Sequence, residues 1–193
     1  MRLFVAVNPP VEAVDHLGAQ IARLRVGAAA AAGARVRLAD PADLHLTLAF
    51  LGDVEAARLV DVESALGLAA DSFRAGLDAP PRLRLSGGGV FGDGRRTVLW
   101  VDAQGDVEAL HGLAWLVRDR LRRAGVAHDD KPFRPHLTVA RPGDRMDPAA
   151  VEADRTALDE YAGPEWPATE LLLMRSHPGS GRSRYDRLAA WPL

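Results

Sequence analysis

The tetrapeptide His45-Leu46-Thr47-Leu48 returns as His136-Leu137-Thr138-Val139, 91 residues further along a chain of 193. A repeat offset by close to half the length is what a duplicated lobe produces, and the hydrophobic patterning around it agrees. In the first half, residues 3–7 form an apolar run of strand length. Val11, Val14, Leu17, Ile21 and Leu24 then recur at helical spacing. Residues 27–33 read as a flexible connection, 44–51 as a strand, Leu59 to Ala69 as a second helix, and Leu83 to Leu85 as a strand ended by Gly87-Gly88-Gly89. In the second half, 97–103 is a strand and Val107 to Leu121 a strong helix. The motif strand at 136–141 follows, then a weaker helix over 147–161, a strand over 170–175 and a terminal strand through Tyr185, Leu188 and Trp191. Both halves read strand, helix, strand, helix, strand, with the same motif on the second strand.

Side chains alternate along a strand, so His45 and Thr47 share one face and Leu46 and Leu48 the other; the same holds for His136 and Thr138. Two lobes related by an approximate two-fold would bring two imidazoles and two hydroxyls together across a cleft. One neutral imidazole can take a proton from an attacking water while a protonated one gives a proton to a leaving oxygen, because both forms exist near the ordinary histidine pKa of about 6.5. Threonine hydroxyls can donate to phosphate oxygens as charge builds on them. One His-x-Thr alone is ordinarily a packed or surface histidine; two at matched positions point to phosphodiester chemistry. Zinc is the rival use of two histidines. Against it stand the lack of cysteine, of a His-x-His and of a paired carboxylate, and the weakness of threonine as a ligand. No metal and no cofactor are expected.

Composition narrows the partners. A formal net charge of -2 argues against a protein that coats nucleic acid through many phosphate contacts. The only lysine is Lys131, so an anion site here is built from guanidinium groups. Without cysteine nothing points to an oxidising compartment, the start MRLFVAVNPP lacks a signal-peptide core, and no run approaches the roughly 18 apolar residues of a membrane helix. The expectation is a cytoplasmic monomer with no membrane or protein partner.

With these residues in place, the chain resembles the 2H phosphoesterase superfamily, and within it the RNA 2′,3′-cyclic phosphodiesterases also described as bacterial and archaeal 2′-5′ RNA ligases. The likeness runs through RLFVAVNPP, DLHLTLAFLGDV, RTVLWVD, KPFRPHLTVAR and LLLMRSHPGSGRSRYDRLAAWPL. It implies an α+β, bilobal duplicated fold: two mostly antiparallel sheets flanked by helices around a central cleft, in one domain over 1–193 with lobes near 1–93 and 94–193 and possible strand exchange between them. It implies opening of a 2′,3′-cyclic phosphate, on an RNA end or a small nucleotide, to a 2′-phosphate. His45 would be the proton donor, His136 the proton acceptor, and Thr47 and Thr138 the phosphate-binding hydroxyls; the residues themselves leave the acid and base assignment open. Ligation of 2′-5′ ends, other 2H phosphodiesterase specificities, or a non-catalytic RNA-binding module are the alternatives.

Around this centre, Arg141 by resemblance supplies charge to the phosphate, Phe50 offers a ring to a base, and Arg134 is a further cleft candidate. Arg141 and Phe50 lie at odd offsets from their histidines, which would turn both away unless the strands bulge. Arg182 and Arg184 sit in a loop able to touch RNA. Arg118, Arg120, Arg122 and Arg123 read as the outer face of a helix. His16, His111, His128 and His177 read as structural or exposed, and Leu99 and Trp100 as packing between helix and sheet. Many relatives carry an aromatic before the first motif, often as Arg-Trp, where this chain has Arg37-Leu38. The glycine-rich segment from Gly87 to Arg96 leaves mainly backbone for base contacts.

Overall fold

The computed structural model describes residues 1–177, 179 and 184–193. Among these, nine strands and five helices follow one another as β1 (Arg2–Val7), α1 (Val11–Arg23), α2 (Arg25–Ala31), β2 (Arg37–Leu38), β3 (Leu46–Asp53), α3 (Leu59–Arg74), β4 (Arg82–Phe91), β5 (Val98–Gly105), α4 (Val107–Arg123), β6 (His136–Arg141), α5 (Pro148–Asp159), β7 (Trp166–Pro167), β8 (Glu170–His177) and β9 (Arg184–Pro192). The strands form two antiparallel sheets, ordered β3-β1-β8-β9 and β2-β6-β5-β4-β7. The expected α+β architecture is borne out. Each sheet draws strands from both sequence halves, because β4 leaves the first half to join β5 and β8 returns from the second half to join β1.

The helices form where apolar stripes meet good ends. α1 buries Ala13, Leu17 and Ile21 and places Glu12 in its first turn and Arg23 in its last, complementing the helix dipole. α4 buries Leu110, Leu113, Ala114, Val117 and Leu121. α5 begins with Asp147 as its cap, accepting from the Ala149 N–H at 2.8 Å, and with Pro148 in the first turn. α3 and α4 lie on the first sheet; α1 and α5 lie on the second. Leu3, Val5 and Val7 of β1 and Leu99 and Val101 of β5 face this helical side in one continuous core, where each fully buried leucine contributes about 1.5–3 kcal/mol. The opposite sheet faces are left for the cleft, with Phe4, Ala6, Leu172 and Met174 forming a small separate cluster there.

Two segments depart from the sequence expectation. Most of the 27–33 connection belongs to α2. Its alanine run has the highest helix propensity, and its first turn is held from far away: the Asp154 carboxylate, 2% exposed, accepts from the Arg25 and Val26 N–H groups, both at 2.8 Å. The glycines at 87–89 continue β4 through a register shift between Leu85 and Gly88, where the strand was expected to end. Gly87 takes a left-handed backbone, with φ 91°, and close approach explains the other two. A Cβ on Gly89 would lie 1.8 Å from Trp100 Cζ2, and one on Gly88 would lie 2.3 Å from the Arg155 carbonyl oxygen of α5.

Candidate active site

A cleft of about 1670 Å³ opens between the sheets and is lined by His45, Thr47, His136 and Thr138, together with Phe50, Arg134 and Arg141. All seven residues singled out in the sequence thus reach one cavity. Bulges solve the parity problem of Phe50 and Arg141. In the β1–β3 ladder Ala6 pairs with Thr47 and Val5 with Ala49, so Leu48 is an extra residue. In the β5–β6 ladder Trp100 pairs with Thr138 and Leu99 with Ala140, so Val139 is the extra residue. One inserted residue inverts the alternation beyond it, which carries Phe50 and Arg141 onto the faces of Thr47 and Thr138.

The two imidazoles are held alike. His45 precedes the first residue of β3, and its Nδ1 lies 2.6 Å from the Asp43 carbonyl oxygen; His136 opens β6, with Nδ1 2.8 Å from the Arg134 carbonyl oxygen. A carbonyl can only accept, so Nδ1 carries the hydrogen in each ring. Nε2 is then the nitrogen left for proton transfer. Aromatic walls fix the ring planes. Phe4 lies 4.7 Å from His45 and Tyr185 meets it edge-on at 5.2 Å; Phe91 and Trp100 meet His136 edge-on at 4.9 and 5.8 Å.

Burial is the leading cause that lowers both histidine pKa values below the ordinary 6.5, opposed at each by the carbonyl that accepts from Nδ1. The charge on His136 lowers His45 further, and Arg134 and Arg141 lower His136 while Asp102 raises it. Asp102 pairs across the ladder with His136. Burial raises its own carboxyl pKa against the pull of Arg134.

Several placements differ from the sequence reading. Trp100 is 2% exposed but does not pack between sheet and helix as Leu99 does. It stacks on Phe91 at 4.9 Å and carries the Arg134 guanidinium 4.1 Å above its ring, while Arg134 Nε lies 3.8 Å from Asp102. Arg134 is therefore fixed to the cleft wall. Arg118, expected on an outer helix face, is largely buried against β3 and the segment before the second motif. Arg122 and Arg123 do stay exposed and pair with Asp119. His111 lines the cleft against Phe133, and His16 bonds the Tyr161 hydroxyl at 2.9 Å. His177 pairs with Asp186 at 2.6 Å. Arg184 opens β9, and Arg182 lies outside the described residues.

Phe4, Phe91, Tyr185 and Asp102 were not singled out from the sequence. Their only signal is strand parity relative to a neighbour whose identity requires knowing the sheet order. Among the described residues no group of three or more His, Asp or Glu side chains is arranged to hold a metal ion, and no helix is long and apolar enough to cross a membrane.

A duplicated pair of His-x-Thr strands facing one cleft between two antiparallel sheets defines a 2H-type phosphoesterase fold. The family model described as the 2′-5′ RNA ligase superfamily matches residues 13–180, and the chain belongs to that superfamily. It is 31% identical over 194 residues to the RNA 2′,3′-cyclic phosphodiesterase of Escherichia coli, covering 100% of this chain and 96% of the relative. Among solved structures it is similar to TT0787 of Thermus thermophilus, with a TM-score of 0.72 and 29% identity over 100% of this chain and 98% of the other. It is similar also to E. coli LigT complexed with 3′-AMP, with a TM-score of 0.70 and 28% identity over 100% and 97%.

Proposed function

We propose that this protein is a metal-independent phosphodiesterase that opens 2′,3′-cyclic phosphates, on RNA ends or small nucleotides, to 2′-phosphates. The observation that carries the reading is the matched pair of Nδ1-to-carbonyl bonds, which presents two Nε2 atoms to one cleft. The similarity to RNA 2′,3′-cyclic phosphodiesterases supports the substrate class.

In the proposed reaction His136, neutral, takes a proton from water through Nε2 as the water oxygen attacks phosphorus. His45, protonated, gives its Nε2 proton to the 3′ oxygen as the P–O3′ bond breaks. The products are a 2′-phosphate and a 3′-hydroxyl, and proton exchange with solvent resets the pair. The Thr47 and Thr138 hydroxyls line the cleft beside the two imidazoles, where they can donate to the non-bridging oxygens as charge builds. Arg141 adds a cation at that end of the second strand. Arg134, held on Trp100, adds another at the cleft wall, and Phe50 provides a face for the base.

Both sequence halves build the cleft, which supports treating 1–193 as one working unit of two pseudo-symmetric lobes. With a sugar 5′-hydroxyl in place of water and the histidine roles unchanged, the same displacement of the 3′ oxygen would ligate to a 2′-5′ linkage; the roles exchange only when that linkage is cleaved back to the cyclic phosphate. The test is incubation with a 2′,3′-cyclic mononucleotide and a cyclic-ended oligonucleotide. Turnover of either to a 2′-phosphate supports the reading, and binding without turnover supports a non-catalytic RNA-binding module instead.

A further inference from the structure

Phe50 is 51% exposed. A ring with so little packing is aimed by its backbone, and that backbone is anchored from outside the sheet. β3 is an edge strand, so its outer polar groups have no neighbouring strand. Asp129 covers this edge: its N–H donates to the Phe50 carbonyl oxygen at 2.8 Å, and its Oδ1 accepts from the Phe50 N–H at 3.1 Å.

Two positions earlier, the carbonyl oxygen of Leu48, the bulge residue, accepts from Arg118 Nε at 3.1 Å. Arg118 Nη1 donates to the Lys131 carbonyl oxygen at 2.6 Å, and Nη2 lies 3.7 Å from Asp129 Oδ1. The side chain of Arg118 is 18% exposed and that of Asp129 23%. One guanidinium therefore ties the bulge of the first motif strand to the segment leading into the second motif. Phe50 in turn lies 6.0 Å from Phe4, the ring beside His45.

We infer that Arg118 and Asp129 are positioning residues that hold Phe50 as the platform for the substrate base, so that they set affinity for the nucleoside and leave the phosphate chemistry to the histidines and threonines. This rests on the reading of Phe50 as a base platform in the proposed function. Removing either clamp residue frees the bulge or the Phe50 backbone, and the ring no longer stands where a base can stack.

The test measures KM and kcat on a 2′,3′-cyclic nucleotide, and Kd by calorimetry with the corresponding 2′-nucleotide, for wild type, Phe50→Ala, Arg118→Ala, Asp129→Ala, Asp129→Asn and the Phe50→Ala/Arg118→Ala double variant. Loss of base stacking raises KM and Kd about tenfold in each alanine single variant, with kcat within about twofold of wild type. Asp129→Asn keeps an oxygen for the Phe50 N–H and recovers most of the affinity. The double variant binds no worse than Phe50→Ala alone, because Arg118 acts through that ring.

Wild-type KM and Kd in both clamp variants, or losses that multiply in the double variant, overturn the inference. If Arg118→Ala does not fold, the Asp129 alanine and asparagine pair decides by the same comparison. A wild-type protein that binds but does not turn over overturns the proposed hydrolysis and leaves the clamp to be judged on Kd.

Discussion

Leu48 and Val139 occupy the same place in the two motif strands: each follows the motif threonine as the unpaired extra residue of a bulge. The duplication thus extends beyond the four motif side chains to the backbone irregularity that brings Phe50 to one strand's cleft face and Arg141 to the other's. The two strands then diverge in chemistry, with an aromatic ring at one bulge and a guanidinium at the other.

If both imidazoles transfer protons in one step, neither is dispensable. Replacing His45 or His136 by Ala is expected to lower kcat by about 10²–10⁴-fold, and the double replacement to cost little beyond either single one, since both act in the same step. Steady-state kinetics with a circular-dichroism check of folding measures this, and an active His136→Ala enzyme would remove the acid–base pair from the reaction.

Burial, helped at each ring by nearby positive charge, holds both histidine pKa values below 6.5 in the free protein. Both limbs of the bell-shaped kcat/KM profile are expected on the acid side of that value. A bound phosphate anion favours imidazolium, so the kcat profile shifts to higher pH. The stability sign follows from the same shifts: below 6.5 the unfolded chain binds more protons, so stability present above that pH is lost as pH falls through the folded values. The melting temperature of the ligand-free protein should therefore fall on acidification from pH 7, and less steeply in His45→Gln. Coincident kcat and kcat/KM profiles would contradict the first expectation, and an unchanged slope in the variant the second.

The wall behind His136 depends on one missing side chain. Gly89→Ala places a Cβ inside the Trp100 ring, which must then move, taking with it the surface under Arg134 and the edge contact to His136. Activity is expected to fall at least tenfold, along with stability by about 1–3 kcal/mol from overpacking. A fully active Gly89→Ala protein would show that the aromatic wall does not orient the histidine.

Asp154 provides a prediction far from the cleft. Its buried carboxylate satisfies two N–H groups of α2, so Asp154→Ala leaves both unpaired and should cost about 2–4 kcal/mol of stability with kinetics nearly unchanged. Denaturant unfolding measures the loss; an unaltered midpoint would mean the helix end is satisfied otherwise.

The sequence made the four motif residues legible because the signal was local and occurred twice. Strand parity alone misdirects at Phe50 and Arg141, since a bulge is a backbone event that the alternating pattern does not mark. The exchange of β4 and β8 between sheets is likewise invisible to periodicity, which says that a strand forms but not which neighbour it pairs with. Arg118 reads as an exposed arginine among four on one helix; its burial depends on the edge of β3 and on Asp129, which the helical pattern does not bring into view. α2 reads as a loop because the carboxylate that caps it comes from α5. Trp100 follows Leu99 so closely that both look like core, although alternation places them on opposite faces.

The most direct test is the position of the phosphate left when wild-type protein acts on a 2′,3′-cyclic-ended oligonucleotide in EDTA, followed by phosphorus NMR. The expected product is a 2′-phosphate beside a free 3′-hydroxyl, formed at an undiminished rate. A 3′-phosphate would overturn the assignment of the 3′ oxygen as the group that His45 protonates, and no hydrolysis without metal would contradict the metal-independent paired-imidazole mechanism.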